Sequence, residues 1–166
     1  MASKQQQKNL QDLLVETLKD MYFAEKKIAT TLPKLAKAAK LPELKAAFEK
    51  HTTETEGQVA RLEQVFELLE QKAKGKTCDA INGIVKEGQE IMKQFKGSRA
   101  LDAGLLSAAQ AVEHYEISRY GTMRTWAEEL GLNEAATLLA ETLVEEKNTD
   151  ETLTRIAKTA VNQEAE

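Results

Sequence analysis

A chain of 166 residues, 30% charged and 42% hydrophobic, suits one domain over residues 1–166 with a core that needs no disulfide or metal staple to fold. Two prolines, eight glycines and 5% aromatic residues exclude an all-β or disordered chain and leave a core of Leu, Ile, Val and Ala between packed helices. A net charge of −4 supplies no footprint for nucleic acid, Lys4 and Lys8 making at most a weak basic tail, and the lone Cys78 rules out a disulfide framework or a four-cysteine metal knuckle.

The polar start Met1–Asn9 lacks the apolar segment of a secretory signal, and no run of 18 apolar residues exists to cross a membrane. Together with the single cysteine this predicts a soluble protein of the reducing cytoplasm. Leu10, Leu14, Leu18, Met21, Ile28, Leu32, Leu35 and Ala39 recur at helical spacing and predict a first helix over about 8–39, kinked at Pro33. Pro42 stands where a first helical turn tolerates it. Leu44, Phe48, Leu62, Val65, Phe66 and Leu69 then carry a second helix over about 43–72, ended before Lys74-Gly75-Lys76-Thr77.

Residues 78–95 hold Ile81, Ile84, Val85 and Ile91 but also Gly83 and Gly88, which predicts a short helix inside a long crossover. Leu101, Leu105, Val112, Tyr120, Met123 and Ala127 set a third long helix over about 98–130, with Gly131 as its C-terminal cap. Asn133 is expected to cap the last helix, over about 133–161, which carries Ala135, Leu138, Leu139, Leu153, Ile156 and Ala160. Two antiparallel helical hairpins joined by a long crossover with a short extra helix make an all-α, ferritin-like four-helix bundle.

Sliding the chain on itself by 91 residues pairs Leu10 with Leu101, Leu14 with Leu105, Thr31 with Thr122, Ala36 with Ala127, Leu41 with Leu132, Glu43 with Glu134 and Leu62 with Leu153. It also pairs Glu25 with Glu116 and Glu54 with Glu145. Each of these glutamates falls where the apolar stripe of its helix should face inward: Glu25 between Met21 and Ile28, Glu54 between His51 and Gln58, Glu116 between Val112 and Tyr120, Glu145 between Leu138 and Leu153. Their distances from the two hairpin turns also agree, so each hairpin can present its two carboxylates to one another.

Four ionised carboxylates inside a bundle repel and cost several kcal/mol each to bury unpaired, so something cationic belongs among them. Hard oxygen donors with a little imidazole suit a pair of divalent iron or manganese ions, and facing helices of a bundle are where such sites are built. His51, three residues before Glu54, and Glu113, three before Glu116, share a face with their neighbours and complete the candidate ligand set Glu25, His51, Glu54, Glu113, Glu116 and Glu145. Glu141, four before Glu145, is a further candidate, and Tyr22 and Tyr120 are placed to hydrogen-bond a ligand. His114 should point away from the cluster, and no residue is assigned a catalytic role.

Four segments resemble the YciF-type stress proteins, a bacterial ferritin-like family: Asp20-Met-Tyr-Phe-Ala-Glu-Lys26, His51-Thr-Thr-Glu-Thr55 with Gly57-Gln58, Val112-Glu-His-Tyr-Glu-Ile117 with Tyr120-Gly-Thr122, and Glu141-Thr-Leu-Val-Glu-Glu-Lys147 with Thr149-Asp150. The resemblance spans essentially the whole chain and implies a rubrerythrin-like bundle with a dimetal centre, a homodimer and a role in the stress response. The family pattern wants Glu-x-x-His on the second and fourth helices, whereas Gly57 and Asn148 stand three residues after Glu54 and Glu145. The site would therefore be unusually rich in oxygen donors. The expected cofactor is two iron ions, with manganese or a mixed pair as alternatives, and the expected partners are a second copy of the chain and a small oxidant, peroxide or oxygen, in a peroxidase, catalase-like or iron-oxidising reaction. A bundle without enzymatic activity, carrying structural metals or docking a protein partner, is the competing expectation.

Overall fold

The computed structural model describes residues 7–165, and the start of the chain with Lys4 lies outside them. All regular structure among these residues is helical: α1 (Leu10–Ala38), α2 (Pro42–Leu68), α3 (Asp79–Gln94), α4 (Leu101–Glu129) and α5 (Asn133–Ile156), the last running on through a π-helical turn (Ala157–Val161) into the short α6 (Asn162–Glu164). Among the described residues no helix is long and apolar enough to cross a membrane.

Each start and stop has a local cause. Asn9 and Asp12 form a capping box at the head of α1, which then continues through Pro33 to Ala38. Pro42 occupies the first turn of α2, where its missing N–H costs nothing. α4 closes with a left-handed Gly131 (φ 71°), whose N–H donates to Glu128 while Leu132 N–H donates to Ala127 at 2.8 Å. α2 closes with the same pair of bonds, except that the left-handed residue is Glu70 (φ 53°). Asn133 does not cap α5: the cap position is Leu132, without a side-chain bond, because the Gly131 turn delivers the chain into the helix one residue too early for Asn133 to serve.

α1 packs along α2 and α4 along α5; α1 also lies against α4 and α2 against α5, so the long helices surround the core in the order α1, α2, α5, α4. Glu43 at the start of α2 meets Arg155 at the end of α5 (2.7 Å), which sets those two antiparallel. The α1–α2 turn is tied to the head of α4 by Asp102, whose carboxylate accepts from Lys40 N–H (2.9 Å) and Leu41 N–H (2.7 Å). The crossover helix α3 lies outside this square, on α4 and α1. Its close approach explains two of the glycines: a Cβ on Gly104 would meet Ile91 at 2.5 Å, and one on Gly88 would meet Ala108 at 3.2 Å.

The two ends of the bundle are apolar. Leu14, Leu18, Leu62, Val65 and Phe66 fill one end, and Leu32, Leu44, Phe48, Leu105 and Ile156 the other, each buried. Fully burying a Leu or Phe contributes about 1.5–3 kcal/mol, so these layers hold the helices together. Between them the inward positions turn polar, with Glu25, His51, Thr55, Gln58, Glu113, Glu116, Thr142, Glu146 and Thr149 all buried.

Candidate metal centre

The polar layer gathers His51 from α2, Glu113 and Glu116 from α4 and Glu146 from α5, one ligand atom of each lying within 4.8 Å of the others. His51 Nε2 is 3.1 Å from Glu113 Oε1 and 3.7 Å from Glu146 Oε2. Glu25 from α1 closes the fourth side, fully buried and accepting from the Tyr120 hydroxyl. Helical spacing explains the convergence: Glu113 and Glu116 lie one turn apart on one face, and Glu146 lies seven residues from both Leu139 and Leu153 on the buried face of α5.

The electrostatics are those of crowded anions. Burial pushes the Glu25 carboxyl up to about 7, against the hydrogen bond from Tyr120. Glu116 and Glu146 are held well above the usual carboxylate range, by burial first and then by Glu146 and Glu25 around Glu116 and by Glu113 beside Glu146. Burial disfavours the His51 imidazolium, but the adjacent carboxylates of Glu113, Glu54 and Glu146 outweigh it and raise the group well above its ordinary value.

Several sequence expectations meet at this centre and several do not. Glu25, His51, Glu113 and Glu116 come together, with Tyr120 bonded to Glu25. Glu145 does not join them; its place on the inward face belongs to Glu146, one residue and about 100° further round the helix. Glu145 faces the edge of α5, where Arg61 grips it with two bonds of 2.9 and 3.0 Å. Glu54 sits at the corresponding edge of α2, one oxygen bonded to Lys50 and the other 3.5 Å from His51 Nδ1. Glu141 is exposed and pairs with Arg61 (3.2 Å), and Tyr22 donates to Glu63 (2.7 Å) rather than to a member of the cluster. His114 lies on the surface against Asp150.

Sequence reasoning missed Glu146 and the neutral residues around it. Gln58 is fully buried and its amide donates to Glu145 (3.0 Å) and to Glu146. Thr149 Oγ1 is 3.4 Å from His51 Nδ1. The signal was the spacing Leu139, Thr142, Glu146, Thr149, Leu153, a steps-of-three-and-four run that selects Glu146 over Glu145. Cys78 is also engaged: its sulfur accepts from Ile81 N–H at the head of α3 and lies 3.1 Å from Tyr115 Oη, which donates to Asp20 (2.8 Å).

The donor set fits a hard divalent cation. Glu25 Oε2, both oxygens of Glu113 and Glu116, Glu146 Oε2 and His51 Nε2 are buried with no hydrogen-bond partner among the described residues. Native proteins leave very few such atoms, and a cation drawing on all of them supplies the missing partner. Carboxylates with one imidazole suit iron or manganese rather than a thiolate-loving metal.

Residues 9–166 match the family described as Domain of unknown function (DUF892). The chain is 44% identical to Protein YciF of Escherichia coli over 160 residues, 96% of each chain. Its fold superposes on the crystal structure of that E. coli stress protein with a TM-score of 0.90, covering 95% of this chain and 99% of the other. The solved YcfI of Rhodopseudomonas palustris matches at 42% identity with a TM-score of 0.85, over 93% of this chain and 98% of that one. A solved protein of Xanthomonas campestris is more distant, at 25% identity and a TM-score of 0.71 over 93% and 94% of the two chains.

Proposed function

For a chain that belongs to the DUF892 family of YciF-type stress proteins, we propose the function of a dimetal carboxylate protein that handles peroxide or oxygen under stress. The observation that carries this reading is the fully buried group His51, Glu113, Glu116 and Glu146, with ligand atoms that no hydrogen bond satisfies. These four residues together with Glu25 would hold the ions. Bound iron or manganese supplies electrons and Lewis acidity to a small oxidant.

The chain's own residues do the rest. Three of the carboxyls carry raised pKa values, so they give up protons as the cation arrives, and binding strengthens as pH rises. Tyr120 donates to Glu25 and Gln58 to Glu146, fixing one oxygen of each and leaving the other free to ligate. The apolar layers above and below keep bulk water out. Total burial admits only molecules of a few atoms, which favours oxygen or peroxide over an organic substrate. The test is elemental analysis of untagged protein followed by peroxide addition under an optical spectrometer. Two redox-active ions per chain with a spectrum that changes on peroxide are expected. Bound but inert metal would favour the purely structural bundle, and no metal after reconstitution would overturn the reading.

A further inference from the structure

Outside the buried cluster, the seam between α2 and α5 carries a second tier of carboxylates that the metal reading leaves unused. The side chains of Glu54 on α2 and Glu145 on α5 are 24% and 29% exposed, intermediate between surface and core. Each is held on its solvent side by a cation and meets a buried polar side chain on its inner side, His51 for Glu54 and Gln58 for Glu145. Lys50 bonds Glu54 Oε1, while Oε2 is buried, without a hydrogen bond, 3.5 Å from His51 Nδ1. Arg61 forks onto Glu145 and is braced by Thr142 Oγ1 (2.7 Å) and Glu141 (3.2 Å). Inward of Glu145 stands Gln58, whose amide spans Glu145 and Glu146 and whose own Oε1 is buried without a partner.

The other seams are built differently. Tyr22–Glu63 joins α1 to α2, Tyr115–Asp20 and Tyr120–Glu25 join α1 to α4, and Gln110 binds Asp150 and Thr154 between α4 and α5. Among these contacts none connects a half-exposed carboxylate to a member of the cluster. A divalent ion entering a dry bundle must exchange its waters for protein oxygens in steps, because shedding them together would leave a bare charge in a low-dielectric interior. The α2–α5 seam offers those oxygens at graded depth.

We propose that this seam is the cation port of the protein: Glu54 and Glu145 take a hydrated divalent ion from solvent and pass it inward past Gln58 and His51, and Arg61 is the latch that Glu145 must release. The proposal rests on the metal-binding reading above. Arg61 neutralises Glu145 with two parallel charge-assisted bonds, so an arriving ion must compete with a guanidinium. A dication gains twice the Coulomb attraction of a monocation at the same carboxylate, and the latch thereby selects for it.

The test mixes metal-free full-length protein with cobalt(II), whose visible absorption changes when protein ligands replace water, in a stopped-flow instrument. The double variant Glu54→Gln/Glu145→Gln is expected to reach the wild-type stoichiometry and final spectrum, but on the order of tenfold more slowly, since steering carboxylates act on rate. Arg61→Met is expected to move the other way, accelerating uptake several-fold, and to lose that gain when Glu145→Gln is added. Circular dichroism verifies that helix content is unchanged in each. Unaltered rates at full stoichiometry overturn the port alone. A fall in stoichiometry overturns it too, because Glu54 and Glu145 would then be ligands. A wild-type chain that binds no cobalt overturns the metal reading and the port with it.

Discussion

Superposed by the 91-residue shift, the inward faces of the two hairpins correspond position by position and differ in charge. Tyr22 answers to Glu113, Glu25 to Glu116, His51 to Thr142, Thr55 to Glu146 and Gln58 to Thr149, and all ten are buried. The α1–α2 half contributes one carboxylate to the centre and the α4–α5 half contributes three. The difference teaches that the framework is repeated while the donors are not. Negative charge is concentrated on one hairpin, and at the matching positions the other supplies an imidazole and an amide that reach the acidic group, His51 beside Glu113 and Gln58 on Glu146, while the Tyr22 phenol bonds Glu63. Where both halves of a symmetric dimetal bundle would share the ligands, here His51, Glu113, Glu116 and Glu146 form one dense group with Glu25 beside it.

The sharpest way to break that comparison is to exchange its members. Glu146→Ala removes an anionic donor from the dense group and is expected to weaken metal binding at least about 100-fold, whereas Thr55→Ala, at the matching position of the other hairpin, should stay within about threefold. Glu145→Ala should keep its equilibrium affinity, since Glu145 is turned toward Arg61. Competition against a chelator of known affinity measures all three. Equal losses in Glu146→Ala and Thr55→Ala would show two equivalent halves.

A second test exposes the charge imbalance without changing a residue. In metal-free protein, Glu25, Glu116 and Glu146 have folded pKa values above their unfolded ones, so the stability they contribute is complete below about pH 4.5 and is lost as pH rises through the folded values, about 7 for Glu25. His51, also raised, contributes with the same sign, its share being lost above its own folded value. Glu54 is depressed, chiefly by the His51 imidazole beside it, and works in the opposite sense below its unfolded value. The melting temperature of the metal-free chain should therefore fall between about pH 5 and 8. Divalent metal should raise it most at the upper end, where the ligands are unprotonated. A metal-free melting temperature that climbs across this window would contradict the crowded-anion picture.

Much of this was legible in the residues and part was not, for reasons of helix geometry. Apolar spacing located all five main helices to within a few residues at most ends, because long runs such as Leu14–Ile28 leave the period no ambiguity. On α1 and α4 the same period delivered Glu25 and Glu116 to the core. On α2 and α5 it failed by one residue, since the buried polar face is lined by Thr55, Gln58, Thr142 and Thr149, which carry no apolar signal, and matching the repeat by glutamate identity favoured Glu54 and Glu145. Buried Thr and Gln are invisible to a hydrophobic pattern; only the flanking Leu139 and Leu153 could have set the phase. The Asp102 anchor was equally hidden, as its partners are backbone amides 61 and 62 positions away.

The hairpin turns extend the comparison to backbone energetics. At the α1–α2 turn Asp102 accepts two amides of Lys40 and Leu41, and its carboxylate is largely buried. Asp102→Ala strands both donors and is expected to cost about 2–3 kcal/mol, read as a lower denaturation midpoint at unchanged slope. Among the described residues the matching turn has no such anchor, so no single side-chain deletion there should cost as much.

That second turn relies on the left-handed Gly131 at the position matched by Lys40, and the end of α2 uses the same backbone bonds with Glu70 in the left-handed place. A side chain at such a φ crowds its own carbonyl, whereas glycine does not. Gly131→Ala should therefore cost about 1 kcal/mol even though nothing lies within 4 Å of the added Cβ, which isolates conformation from packing. Glu70→Gly should move stability the other way by somewhat less, because relief of the left-handed strain is partly offset by the greater freedom glycine gives the unfolded chain. Urea midpoints of the two variants decide it. Opposite signs would locate the effect in the shared left-handed conformation, and a loss in both would place it in what Glu70 contacts rather than in the backbone it adopts.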